Sequence, residues 1–431
     1  RPHDAPKLAL IMPPYDGEPQ LVAVPLACTM GWTNSPPSFC ALSETITDLT
    51  NARLYRHNVP THRLASLAGA HDEPPGRCLD AAPPPRHGSP CLPDVHRPDT
   101  GHQATRPLAS VDVFVDDFIQ LAQGGPRRRE ALRNTLLHTI DDVLEPQPNH
   151  PTRKEAASVK KMTKGEASWA TRKTALGWII DSLSKTLEMP PHRTQRLQKI
   201  FDDLRDRKRA GRKQWERMLG ELRFVTVAIP GSAGLFGPLQ LALTHCKEGR
   251  IRVTTPVRDN LTDFERLVAD ISSRPTRLGE IVPDDPVVLG TTDACKYGMG
   301  GVLFAHDEPP VLWRAPFPPE TSDRVASYDN PQGDVTNSDL EQAALIAQGD
   351  VAAHIYDTRN YTIATGSDNT PAIARLQRGS ITSNRVPAYL CRLQCLHQRH
   401  YRHLHQAFYI KGAANAMADD CSRLWNLDDS Q

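Results

Sequence analysis

The sequence is informative first through what it lacks. It has no run of about eighteen apolar residues, which excludes an ordinary membrane-spanning helix. Its amino terminus shows no basic stretch leading into an apolar one, so no secretory signal is read there. The nine cysteines form no C-x-x-C pair and no regular framework. That excludes a zinc ribbon or a disulfide scaffold and implies reduced thiols. Formal net charge is only +1, and no internal repeat is found. These absences together predict a soluble intracellular protein, cytoplasmic or nuclear, with no membrane partner.

What is present is unevenly distributed. With 431 residues and 39% hydrophobic content the chain can bury a core and form two or three domains. It opens on Arg1 with RPHDAPKLALIMPPYDGE, which reads like mid-domain strand and turn sequence and predicts a fragment or processed piece. Residues 56–107 are rich in Pro, His and Gly without apolar periodicity, as expected of a long insertion or linker. Residues 193–213 carry nine basic residues, among them Arg207, Lys208, Arg209, Arg212 and Lys213, against Asp202, Asp203 and Asp206. Read as one basic helix, this is either a solvated face or a surface that follows phosphates.

The stretch VDVFVDDFIQ at 111–120 places Asp116 and Asp117 side by side between apolar runs. Alternation on both sides predicts strand, turn and strand. Two adjacent carboxylates repel unless a cation sits between them, and Mg²⁺ prefers a few carboxylates plus substrate phosphates. The plain alternative is a polar hairpin turn. A helix is expected at 127–145, then strand, turn, strand and helix over 174–204, with further helices to about residue 280. From about Val287 strands interleave with helices, which predicts a separate α/β domain.

In order, these motifs resemble the pol polyproteins of retroelements of the gypsy-like and DIRS-like kind. FVDD resembles the palm signature of reverse transcriptases. VPLACTMGWTNSPPSFCALSETITDL resembles the preceding template and nucleotide-contacting motif, with Gly31, Ser35, Pro36 and Phe39 at the matching positions. LGWIIDSLSKTLEMP looks like the primer-holding strand pair, and ERMLGELRFVTVAIPGSAGLFGPLQ like thumb and connection. The resemblance implies an α+β palm and thumb, N-terminally incomplete, followed by an α/β ribonuclease H-like domain with a mixed sheet. Residues 1–150 would be partial palm with its insertion, 151–280 palm end, thumb and connection, and 281–431 the ribonuclease H-like domain. It also implies that Asp116 and Asp117 lack a third carboxylate, since the strand-to-helix motif supplying it precedes the stretch that begins here; Asp4 and Asp16 lie in what resembles the hairpin after it.

A second constellation lies in the C-terminal domain: Asp293 in TTDACKYGMGG, Glu341 in TNSDLEQAALIA, Asp368 in IATGSDNTPAI and Asp419 in NAMADDCSRLW. Their contexts resemble the ribonuclease H fold of retroelements, in which four such acids converge. Four carboxylates can hold two Mg²⁺ or Mn²⁺ ions for hydrolysis of a phosphodiester. Each acid has a plainer alternative. Asp293 begins a turn, Glu341 closes a capping box with Ser338, Asp368 starts an Asx turn, and Asp419 is first-turn helix charge.

The resemblance therefore implies hydrolysis of the RNA strand of RNA/DNA hybrids by two metal ions, with RNA/DNA hybrid and primer-template nucleic acid as partners and other domains of the same polyprotein alongside. Two rivals stand: a decayed or domesticated nucleic-acid-binding protein without catalysis, and another nuclease or integrase on the same fold. Within the last motif Asp419, rather than Asp420, is expected to be the ligand. Asp420 would pair with Arg423, while Met417, Cys421 and Leu424 form an apolar face.

Overall fold

The computed structural model describes residues 10–11, 22–23, 35–56, 58–74, 108–147, 149, 155–246, 249–379, 381 and 385–424. Asp4, Asp16, Gly31, the side chain of Ser35 and residues 75–107 of the Pro-rich stretch lie outside this description. The chain divides into two compact units, Arg1–Arg77 with Asp99–Thr171 and Arg172–Gln431 with Cys78–Pro98.

The first unit contains β1 (Leu10–Ile11), β2 (Val22–Ala23), α1 (Ser35–Arg53), α2 (Ala65–Ala68), β3 (Ala109–Phe114), β4 (Asp117–Ala122), α3 (Pro126–Leu144) and α4 (Val159–Thr163). Strand β3 forms because its residues alternate: Ala109 and Val111 are buried, Ser110 and Asp112 exposed. Helix α3 begins on Pro126, whose fixed φ suits the first turn, and stops at Glu145, just before Pro146. Leu54, Ala109, Val111 and Leu132 form the core, with Phe118 and Trp169 against it. Helix α1 is locked to the hairpin by Asn51, whose side chain accepts from Val111 N–H at 2.9 Å and donates to Val111 O at 2.8 Å. That contact satisfies one side of an edge strand and fixes the hairpin on the helix.

The second unit begins with β5 (Arg172–Ala175), β6 (Trp178–Asp181), β7 (Thr186–Glu188), α5 (Pro191–Arg205), β8 (Arg209–Gly211), α6 (Arg212–Val225), α7 (Phe236–Thr244), β9 (Arg250–Arg252), α8 (Thr255–Ser273) and β10 (Thr276–Arg277). Trp215, Met218, Leu222 and Val225 recur at three and four residues along α6 and are all fully buried, the stripe a core-facing helix needs. The predicted basic helix at 193–213 is not one helix. Helix α5 ends at Arg205, Arg209 lies in strand β8, and α6 starts at Arg212. The apolar positions that hold α5 to the core stop at Leu204, and Ala210 and Gly211 bring no helical stripe to replace them.

The unit continues with β11 (Val288–Ala294), β12 (Gly298–Ala305), β13 (Val311–Pro316), α9 (Pro319–Ser322), α10 (Asn337–Ile355), β14 (Thr362–Ser367), α11 (Thr370–Arg378), α12 (Val386–Tyr401), β15 (Leu404–Tyr409) and α13 (Ala416–Arg423). The sheet is mixed, in the order β13-β12-β11-β14-β15. β13, β12 and β11 pair antiparallel, while β14 is parallel to β11 and β15 to β14. Parallel neighbours require crossovers; α10 lies between β13 and β14 in the chain, α11 and α12 between β14 and β15. Strand β13 was not expected from the sequence.

Candidate active site

Asp293 lies one residue from the end of β11, opposite Gly300 of β12, and is 4% exposed. A strand interior rules out the turn reading. Its carboxylate accepts a hydrogen bond from Ser422 Oγ, 2.5 Å from Oδ2. Ser422 is brought there by close packing of α13 on β12. A Cβ on Gly300 would stand 2.5 Å from Cys421 Cβ and 2.7 Å from Cys421 C, so only glycine admits the helix at this distance. Just before that helix, Asn415 donates to Thr292 O at 2.9 Å and pins its start to β11.

Glu341 lies near the start of α10 and is 2% exposed. Its capping-box alternative does not hold: the box is made by Thr336 and Asp339, each bond 2.8 Å to Asp339 Oδ2. Glu341 is thus left free to turn inward, where Ser367 Oγ stands 3.5 Å from Oε2. Asp368 follows the last residue of β14 and is exposed. Its neighbour Asn369, not Asp368, caps α11, accepting from Ala372 N–H at 3.0 Å.

Asp293, Glu341 and Asp368 therefore meet from a strand, a helix and a strand end. One carboxylate oxygen of each lies within 4.8 Å of the others. Burial pushes the Glu341 carboxyl up to about 8, helped by the charges of Asp293 and Asp368. Burial likewise raises Asp293; the Ser422 bond opposes this, and the charges of Asp419 and Asp368 add to it. Three acids at this spacing are a group that a divalent cation would relieve.

Asp419 sits at the rim. It is outside the converging trio, half-exposed in the first turn of α13, and pairs with Arg423 at 2.7 Å. Arg423 Nε is also 3.9 Å from Asp293 Oδ2. The expected pair between Asp420 and Arg423 is replaced by this one, four residues apart. The expected apolar face is also replaced: Ala418 and Ser422 are buried, whereas Met417 and Leu424 are 45% and 42% exposed. Small residues face the sheet because the helix lies so close to it. Asn415 was not singled out from the sequence, and Ser422 was legible only as part of an Ala-Asp-x-x-Ser-Arg pattern, without a role; its signal was the spacing of four from Ala418, which puts both on one face.

In the first unit Asp116 and Asp117 stand where the hairpin turns. Phe114 pairs with Asp117 across it, and Val115 adopts a left-handed φ of 59°, unusual for a β-branched residue. Asp117 accepts from Lys161 Nζ at 3.0 Å, both side chains half-exposed. Among the described residues no third metal-ligating group joins the pair. Pro36 and Phe39 lie exposed on the first turns of α1, which begins at Ser35. Arg207, Lys208, Arg209, Arg212 and Lys213 are all exposed in the second unit.

No family model matches the chain, and no curated protein is similar to it. Among solved structures it is similar to a foamy viral protease-reverse transcriptase in complex with dsDNA, at 13% identity over 91% of this chain and 61% of that one, TM-score 0.37. A foamy viral protease-reverse transcriptase in complex with an RNA/DNA hybrid is 11% identical over 70% and 36%, TM-score 0.33. RNase H1 from the halophilic archaeon Halobacterium salinarum NRC-1 is 19% identical over 31% of this chain and 92% of its own, TM-score 0.23. The chain spans 36% to 61% of the length of these viral structures.

Proposed function

We propose that residues 281–431 form a ribonuclease H-like domain that hydrolyses the RNA strand of RNA/DNA hybrids, within a retroelement pol chain. Residues 1–150 are read as palm, carrying Asp116 and Asp117, and 151–280 as palm end, thumb and connection. The observation that carries this reading is the convergence of Asp293, Glu341 and Asp368 within 4.8 Å, two of them buried. Buried carboxylates this close either share a proton or take up a cation, and such a cluster is where a metal-binding or catalytic site is expected.

Asp293, Glu341 and Asp368 would hold the metal, Mg²⁺ or Mn²⁺, and Asp419 would complete a second position at the rim. Two such ions, when bound, supply an activated water and charge at the leaving 3′ oxygen. The chain's own part is orientation. Ser422 holds one carboxylate oxygen of Asp293, the Ala294 backbone and Ser367 favour ionised Glu341, and Asp368 stands at the open side where a scissile phosphate would arrive.

A second reading, nucleic-acid binding without hydrolysis, is favoured by one contact. Arg423 already pairs with Asp419 and approaches Asp293, so part of the negative charge is met by the protein itself. Cleavage separates the two. An end-labelled RNA strand in a hybrid is incubated with the chain and Mg²⁺, and with Asp293→Asn, whose shape is nearly unchanged. Metal-dependent cleavage lost in Asp293→Asn is expected; a folded wild type that binds hybrid but leaves the RNA intact with Mg²⁺, and again with Mn²⁺ in its place, would establish the second reading.

A further inference from the structure

The basic residues of 207–213 form, with a strand distant in sequence, a surface the nuclease reading does not use. Strands β8 and β9 make an antiparallel ribbon in which Arg209 stands opposite Arg252 and Gly211 opposite Arg250. Ala210 and Ile251 are buried. Strand alternation therefore turns Arg209, Arg250 and Arg252 outward on one face. The ribbon is firmly held: Val253 N–H donates to Lys208 O at 3.0 Å, and Arg212 N–H to Gly249 O at 3.1 Å. The Arg258 guanidinium donates to the carbonyls of Arg205 and Arg207.

Like charges directly opposite across a strand pair are destabilising. Here the local acid is taken, since Glu216 pairs with Arg212, and among the described residues Arg209, Arg250 and Arg252 pair with no carboxylate. Three guanidiniums held on one face, with no carboxylate partner among the described residues, suit a line of anions. Beside Arg250 and Arg252 opens a cleft of about 530 Å³, lined by Leu241, Ala242, Pro256 and Val257 and also by the polar His245 and Thr254. Apolar side chains interleaved with polar ones beside a cationic rim match a planar base, apolar on its faces and polar at its edges, joined to its phosphate. A base within a duplex is stacked and paired and does not enter such a cleft.

We propose that the β8–β9 ribbon and this cleft bind a single-stranded nucleic-acid segment, its phosphates on Arg209, Arg250 and Arg252 and one base between the apolar side chains. The site requires no cleavage and no metal, so its fate is separable from that of the nuclease reading.

The test measures binding of the full chain, without divalent metal, to labelled single-stranded oligonucleotides over a salt series. One oligonucleotide carries bases, and another of equal length is abasic. With about 0.7 counterions released per phosphate contact on a single strand, Arg209→Gln/Arg250→Gln/Arg252→Gln is expected to reduce the slope of log affinity on log salt by about 2. Lys164→Gln/Arg266→Gln/Arg378→Gln, removing equal charge from other exposed positions, is expected to leave it unchanged. Ala242→Trp, which fills the cleft, is expected to keep the slope and abolish the preference for the base-bearing strand, with the milder Ala242→Leu moving the same way should the larger side chain disturb folding. Equal slopes in wild type and ribbon variant would overturn the proposal, as would an equal loss in the control variant. Duplex bound as tightly as single strand, with both Ala242 variants silent, overturns it in favour of simple backbone attraction.

Discussion

At Glu341 the residue's burial decides its proton. The carboxyl is 2% exposed and faces two other acids, and its affinity for a proton rises from an ordinary 4.5 to about 8. Between those values the unfolded chain has released the proton while the folded chain keeps it, so the metal-free protein loses stability as pH rises through that window. Above it, the lower stability persists. Metal binding works in the opposite direction, because the ligand must be deprotonated. The expected outcome is a melting temperature, without metal, that falls from about pH 5 to about pH 8, with Mg²⁺ raising it far more at the upper end. Glu341→Gln is expected to flatten the metal-free profile, remove most of the Mg²⁺ shift and abolish hybrid cleavage. Thermal melts at the two pH values check this; a Mg²⁺ shift of equal size at both would mean that Glu341 does not bind the ion.

At the scale of the element, α13 shows how a short helix can serve a site through packing. Its approach to β12 depends on Gly300, and the approach delivers Ser422 to Asp293. Loss of a hydrogen bond that orients a metal-binding carboxylate typically costs about 10–100-fold in metal affinity or activity. Ser422→Ala is therefore expected to lower cleavage by that range and to shift the Mg²⁺ requirement upward, with a nearly unchanged melt; Ser422→Thr, retaining the hydroxyl, tests whether the bond or the volume matters. Unchanged Mg²⁺ dependence in Ser422→Ala would show that the bond only packs the helix.

The same helix shows what sequence reading reaches. The four acids were picked out through a resemblance in their sequence contexts; the structure brings Asp293, Glu341 and Asp368 together from a strand, a helix and a strand end and leaves Asp419 at the rim. The rest depended on tertiary approach. Pairing of Arg423 with Asp419 rather than Asp420 is a choice between spacings of four and three that a helix allows equally. VLWRAP at β13 has no strict alternation and forms an edge strand beside β12. The basic run at 193–213 reads as one helix because charge carries no period; only the buried Ala210 and Ile251 reveal a ribbon whose second strand is 41 residues further on.

Over the second unit as a whole, α12 is tied to the segment before the sheet by buried charge. Arg399, 2% exposed, donates to Glu280 at 2.9 Å and to Asp270 at 2.5 Å. Arg402 also reaches Glu280, and Arg392 reaches Asp263. Apolar contact accompanies these pairs: Cys395 of α12 belongs to the same core as Trp215 and Phe264. The close approach continues at Gly234, where a Cβ would come within 2.8 Å of Cys391 Cβ. Breaking one partner of a buried pair leaves an uncompensated charge and costs about 3–5 kcal/mol. Arg399→Met leaves Glu280 held by Arg402 and Asp270 by Arg274, so it is expected to destabilise the unit by less, about 1.5–3 kcal/mol for the lost charge-assisted hydrogen bonds. A fragment beginning at residue 281 would expose all three guanidiniums and the apolar face of α12 together. It is expected to melt well below a fragment beginning at residue 172 and to be cut early by protease within α12. Urea unfolding of both fragments decides the matter: equal stability would mean that the sheet and its helices fold independently of α5–α8, and that the charge network merely decorates a boundary.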